Sequence, residues 1–266
     1  MLARPLDPAR ELEAAARLLA ERWTLALPTA IGSALSAAII FFTIGAVVLS
    51  AIAAIIISGP PAALGVLTAG ALTVGLAICG IIVISTLSHA VVVTAAHEAW
   101  AGREPDFGTA FRLVLARLPS LLAAAVAVGV LALVPLVLCL VLIGVPLLMV
   151  LGFFLMYVTP AIVVGGEGGL AAIRSSFRLT ARYPGPSTIG FVGILAAFLI
   201  GRVADTMFVH IPLIGVASAF VIGGVTAAYG SLVAVRFYDL LRPLSTPGPL
   251  QLTAAREETL RPEARS

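Results

Sequence analysis

Apolar residues run through this chain in long uninterrupted blocks, and charge returns only in short segments between them. The first block runs from Pro28 to Ser58. As a helix it reaches about 46 Å, more than the ~30 Å hydrocarbon core of a bilayer, so the pattern predicts a span that tilts or begins in the headgroup layer. Gly59-Pro60-Pro61 predicts a tight uncharged turn, and a second block follows from Ala62 to Ala96. It is also too long for one thickness, so its end, with His89, His97 and Glu98, is expected to project into or past the interface. From Pro119 to Val164 the chain must cross twice, with a turn near Gly144-Val145-Pro146. The second of these crossings holds 11 Leu, Ile, Val or Phe between Leu147 and Val164. At the insertion energies of such residues these favour the membrane by roughly 3–7 kcal/mol. Pro135 and Pro160 inside the blocks predict kinks whose freed backbone groups must find partners on neighbouring helices. Ser187 to Ile200 begins a fifth span, and Pro212 opens a sixth that runs to about Leu241.

The polar segments have a pattern of their own. Residues 1–27 read as an amphipathic helix capped by Asp7, with Pro8 at its first position. Leu12, Ala16, Leu19 and Trp23 recur on one face, and Glu13 and Arg17 are spaced for an i,i+4 pair. Such a helix is expected to lie in the interface with its apolar side down. Residues 97–119 form a charged connection in which Asp106 caps a short helix bearing Phe107, Phe111, Val114 and Leu118. Thr159 to Pro186 holds a third short helix with Arg174, Arg178 and Arg182 on one face. Before each pair of apolar blocks stands a similar string, Arg17-LLAE-Arg22-Trp, Arg112-LVLA-Arg117-Leu-Pro and Arg178-LTA-Arg182-Tyr-Pro. The expected fold is all-α, a polytopic membrane protein with six transmembrane helices in three hairpins, each preceded by a short cytoplasmic interfacial amphipathic helix. Its expected divisions are the N-terminal helix over 1–27, the six-helix domain over 28–242, and a disordered cytoplasmic tail over 243–266, rich in Pro, Thr, Arg and Glu.

Composition agrees with this layout. Of 266 residues 61% are hydrophobic and 11% charged, against about a quarter charged in soluble domains, and the mean hydropathy is +1.13. The net charge of +3 would raise the question of nucleic acid in a soluble protein. Here the basic residues flank apolar runs, so the lipid bilayer is the expected partner and nucleic acid is not. All 16 basic residues are arginine, which with the many alanines suggests a GC-rich bacterial genome. Cys79 and Cys139 lie inside apolar runs and read as packing residues rather than a disulfide framework. The first apolar run exceeds the length of a signal-peptide core and is read as a retained span. Arginines cluster before span one, between spans two and three, between four and five, and after six; only Arg202 falls on the other side. The positive-inside rule then predicts a multi-pass protein of the bacterial inner membrane with both termini cytoplasmic.

Candidate chemistry is sparse. Arg112, Arg117, Glu167, Arg174, Arg178 and Arg182 form a candidate site for an anionic phospholipid headgroup, because guanidinium forks match phosphate geometry. Gly215, Ala219, Gly223, Ala227 and Ser231 step by four along the last span, a small-residue stripe for helix packing or for a homodimer. His89 and His97, eight residues apart, read as locally hydrogen-bonded rather than metal-binding, and Arg202 with Asp205 as a local ion pair. No phosphate-cradling loop, nucleophile elbow or zinc-protease string occurs. No catalytic residue, metal or cofactor is expected.

At Pro160-Ala161-Ile162-Val163-Val164, Glu167, Ala172-Ile173-Arg174-Ser175-Ser176-Phe177-Arg178-Leu179 and Arg236-Phe237-Tyr238-Asp239-Leu240 the chain resembles a bacterial six-helix membrane family. That family is the membrane domain joined to some glycerophosphodiester phosphodiesterases, with its free-standing relatives. The chain departs from it in two extra glycines before Glu167, in Ser175 where a basic residue is usual, and in lacking tryptophan after Arg182. The resemblance implies a fold and a membrane location, not the diesterase reaction. The expected role is non-catalytic, membrane-organising or accessory, with a protein partner or a second copy; a transporter of small solutes or lipids is the alternative.

Overall fold

The computed structural model describes residues 7–242 apart from Gly59 and Val209, so the expected tail over 243–266 lies outside the described residues. Among them every regular element is a helix. Helix α1 spans Pro8–Glu21, α2 Leu27–Ser58, α3 Pro60–Trp100, α4 Phe107–Ala116, α5 Leu118–Leu138, α6 Gly144–Leu155, α7 Val158–Val163, α8 Gly169–Arg182, α9 Pro184–Phe208 and α10 Pro212–Leu241. Among the described residues six stretches are long and apolar enough to cross a membrane: Trp23–Ile57, Thr68–Trp100, Leu118–Leu138, Gly144–Val163, Pro184–Phe208 and Ala217–Leu241. The chain is a multi-pass membrane protein. Helices α2 and α3 pack along each other, as do α9 and α10, and α5 packs on α6.

The start signals act as the sequence suggests. The Asp7 carboxylate accepts the Arg10 amide at 3.5 Å, and Pro8 occupies the first turn of α1, where a missing N–H is no loss. The Asp106 carboxylate accepts the Thr109 hydroxyl at 2.6 Å and the Gly108 amide at 2.9 Å. The Thr109 hydroxyl first, then the first amides of α4, hold the Asp106 pKa below its ordinary value. Its cap is therefore complete above the usual carboxylate pKa and is lost as pH falls through the lowered one.

Prolines moved two boundaries. The turn between α5 and α6 lies at residues 139–143, earlier than the expected Gly144–Pro146, because Pro146 sits in the first turn of α6 and begins that helix instead of interrupting it. Pro160 likewise stands in the first turn of α7. The fourth crossing is therefore broken after Leu155 and restarted at Val158, not merely kinked.

That break would strand backbone groups in a setting where each costs several kcal/mol. Ser176, buried on α8, serves two of them. Its hydroxyl donates to the Phe154 carbonyl at 2.6 Å and accepts the Tyr157 amide at 3.2 Å. The ring of Phe177 stacks on Phe154 with centroids 4.9 Å apart, and the Tyr157 hydroxyl is 3.2 Å from that of Ser187. Helix α7 ends with Gly166 at φ +71°, the Glu167 amide donating to Ala161 O at 3.0 Å and the Gly166 amide to Ile162 O at 3.1 Å. This is a glycine-terminated cap that a side chain would strain.

The protein core lies at one end of the bundle. It is built from the inner faces of α3 over 90–99 and of α10 over 228–241, from Val158, Ala161, Ile162 and Val163 of α7, and from the inner faces of α1, α4 and α8. In the distal halves of α2 and α3 most of the described side chains are exposed, as on lipid-facing helices. On α1 the buried positions are Ala15 and Leu19, with Leu12 half-buried; Ala16 and Trp23 lie outside. The helix ends at Glu21 and Trp23 enters a 3-10 turn, so the expected four-residue phase stops before it.

Ser176 and Thr180 share the buried face of α8, but the Thr180 hydroxyl has no hydrogen-bond partner. Ser176→Ala should cost about 1–3 kcal/mol by orphaning buried backbone groups, whereas Thr180→Val should be neutral or stabilising. Thermal unfolding of the two variants in detergent measures this, and equal losses would contradict the repair.

Candidate functional site

The arginine-bearing helices gather at the core end. Helix α1 packs on α9 and α10, α4 on α3 and α5, and α8 on α5, α6 and α7. Gly169 brings α8 so close to α5 that a Cβ there would lie 2.4 Å from Ser120 O. The inner face of α8 is Gly169, Ala172, Ser176, Leu179 and Thr180. Its outer face carries Arg174, Arg178 and Arg182, all exposed, one turn beyond Leu170, which is 67% exposed. None of the three belongs to an ion pair among the described residues; Arg182 lies 5.6 Å from the Tyr183 ring centroid. Arg112 is exposed on α4.

Arg117 and Glu167 are placed differently. Arg117, half-buried between α4 and α5, donates from Nη1 to the Gly166 carbonyl at 3.1 Å. The Glu167 carboxylate accepts the Ser175 hydroxyl at 3.1 Å. Both brace the α7–α8 loop. The six candidate residues thus divide into two loop braces, three outward arginines on α8, and Arg112 on a different helix.

The stripe on α10 is not one packed face. Gly215 and Ser231 are buried, Ala219 and Ala227 half-buried, and Gly223 is exposed with nothing within 4 Å of a Cβ position. The close approach uses its neighbour. A Cβ on Gly224 would lie 2.8 Å from both Ala26 O and Ala30 Cβ, and Thr29 Oγ1 donates to the Gly224 carbonyl at 3.1 Å. On α9, Gly201 makes room for Thr226, 2.6 Å from its Cβ position.

A polar layer joins α3, α10 and α1, and its long-range pairs could not be read from the sequence. His97 Nδ1 lies 3.0 Å from Asp239 Oδ2. Eight residues deeper, His89 Nδ1 lies 3.4 Å from Ser231 Oγ. Both pairs have the same separation of 142 residues, the mark of two helices running parallel in register. Arg236 forks onto Glu11 of α1, Nε to Oε2 at 2.7 Å and Nη2 to Oε1 at 3.4 Å. Its guanidinium also lies 4.8 Å from the Trp100 ring centroid, while Trp100 Nε1 donates to Leu232 O at 3.0 Å. Arg22 reaches the Arg103 carbonyl, tying the end of α1 to the α3–α4 connection. The available signal was polar residues spaced by eight on two different apolar blocks. The local pairs foreseen are present, Arg17–Glu13 at 2.6 Å and Arg202–Asp205 at 3.7 Å.

No protein-family model, no curated protein and no solved structure matches the chain. Among the described residues no group of three His, Cys, Asp or Glu is placed to hold a metal ion.

A double-mutant cycle of Glu11→Gln and Arg236→Gln should show a coupling of about 1–2 kcal/mol in thermal unfolding, since the pair is half-buried and charge-assisted. Strictly additive single effects would contradict a tether between α1 and α10.

Proposed function

We propose that this is a non-catalytic accessory or membrane-organising protein of the bacterial inner membrane that engages anionic phospholipid through the arginines of α8. In this reading both termini are cytoplasmic, and the six spans form three hairpins, each led by a short helix at the cytoplasmic interface. The positive-inside arrangement of the arginines supports that orientation. The resemblance to the membrane domain joined to some glycerophosphodiester phosphodiesterases supports the layout and lends no catalytic residue.

The observation that carries the reading is the outer face of α8. Three exposed guanidinium groups at four-residue spacing lack a carboxylate partner among the described residues, and Leu170 projects beside them. An apolar side chain next to unpaired arginines suits the boundary between acyl chains and headgroups. Trp23, 65% exposed at the start of the first span, suits the same depth. Each basic residue near an anionic surface is worth about 1 kcal/mol, roughly fivefold in affinity, weakening with salt.

The test replaces Arg174, Arg178 and Arg182 with glutamine and measures phosphatidylglycerol retained on the purified protein by native mass spectrometry. Retention should fall severalfold while phosphatidylethanolamine is unchanged. Unaltered phosphatidylglycerol would overturn the reading.

A further inference from the structure

The arginine face is not the only place where polar groups gather. A cleft of about 320 Å³ lies between α3, α5 and the broken α6–α7 crossing. It is open, since Ser85 and His89 on its wall are exposed. That volume is about ten times the ~30 Å³ a water occupies in the liquid. Most of its surface is aliphatic, but Ser85, Thr86, His89 and Thr159 also line it. His89 lies eight residues, about 12 Å of helix, from the His97–Asp239 pair, which places it inside the apolar span Thr68–Trp100 rather than past its end, where the length of the block had led it to be expected. Polar and ionisable residues at such depth are costly and mark functional sites by default.

Two details say what the cleft would recognise. The first is that its hydroxyls are unspent. Thr73 and Thr94 on the same helix donate to carbonyls four residues back, at 3.2 and 2.9 Å. Ser85, Thr86 and Thr159 make no such bond among the described residues, so they stay available to a ligand. The second is the histidine tautomer. With the Ser231 hydroxyl proton donated to Ala227 O, which at 2.9 Å is the nearer of its two neighbours, its oxygen is left to accept from His89 Nδ1 at 3.4 Å. Nδ1 of His89 then carries the ring proton, and Nε2 is left as a bare acceptor.

The cleft therefore offers an acceptor nitrogen, three hydroxyls able to donate or accept, aliphatic walls, and no charged side chain. An anionic headgroup would find no cation there. A quinone, which has only acceptor oxygens, would meet the lone pair of Nε2. The matching chemistry is an uncharged amphiphile with a hydroxyl head, its O–H donated to Nε2 and its chain along the aliphatic wall. The break between α6 and α7 is what brings Thr159 to this wall, as irregular backbone at membrane depth occurs where it lines a cavity.

We propose that the His89 cleft is a binding site for the hydroxyl head of a neutral lipid. Two sources share that chemistry, a diacylglycerol and a long-chain alcohol. The site is distinct from the α8 arginine face and stands or falls independently of it. The full-length chain in nanodiscs is labelled with a photoreactive diacylglycerol, with unlabelled diacylglycerol, oleyl alcohol, a decyl-benzoquinone or phosphatidylglycerol as competitors. Labelling should be saturable, map to α3, α5 or α7 around the cleft, and fall at least fivefold in both His89→Phe and Thr159→Val. The second, near-isosteric variant keeps the test valid should the first fail to fold. Arg174→Gln should label as wild type, which separates this site from the lipid contact proposed above. Displacement by diacylglycerol alone assigns the first source, and displacement by oleyl alcohol the second. Non-saturable labelling, full labelling of Thr159→Val, or displacement by the benzoquinone or phosphatidylglycerol as strong as by the hydroxyl lipids would overturn the proposal.

Discussion

The parallel contact between α3 and α10 holds the arginine-rich end together. Two helices that leave the same side of a bundle can exchange polar rungs at a constant separation, and these two do so at His89–Ser231 and His97–Asp239. In surroundings poor in water such rungs are hard to replace, because a released partner finds no substitute. Helices α1, α2 and α4 are fastened to the pair directly. Arg236 holds α1 through Glu11 and covers Trp100 of α3, Gly224 admits the start of α2, and α4 packs back onto α3. Among the described residues the distal parts of α2 and α3 meet through apolar contact, and their exposed Phe41, Phe42, Ile56 and Ile57 face where lipid would be.

The second dependence is the break in the fourth crossing. A continuous helix from Gly144 to Val163 would need no help from α8. With Pro160 restarting the helix, Ser176 becomes a structural member of the span that it does not belong to. This fixes the position and rotation of α8 against the other helices, so the arginines on its other face form a row held by protein contacts. The same break lines the cleft of His89. One irregularity thus positions both features from which function is argued.

Much of this was legible in the residues. Long apolar blocks gave the six spans, because length and hydropathy alone decide whether a helix can cross. Local chemistry was legible too, as at Asp7 with Pro8, Asp106, Glu13 with Arg17, and Arg202 with Asp205, where both partners lie within one turn. Prolines misled at Pro146, because a proline in a first turn starts a helix as readily as a turn ends one. The small-residue stripe fell on Gly223 while its neighbour Gly224 makes the approach, since periodicity names a face and only the neighbouring helix decides which face is covered. Nothing in the sequence could join Glu11 to Arg236 or Ser176 to Phe154, because those pairs depend on how the spans are arranged.

In the proposed arrangement the arginine-bearing helices share the cytoplasmic side. Single cysteines at Glu21, Ala116 and Ala171, all exposed on α1, α4 and α8, would be introduced into a chain with Cys79 and Cys139 replaced by alanine. A membrane-impermeant maleimide should label all three in inverted vesicles and none in intact cells. Labelling of any one of them from outside intact cells would separate the three helices and contradict the account.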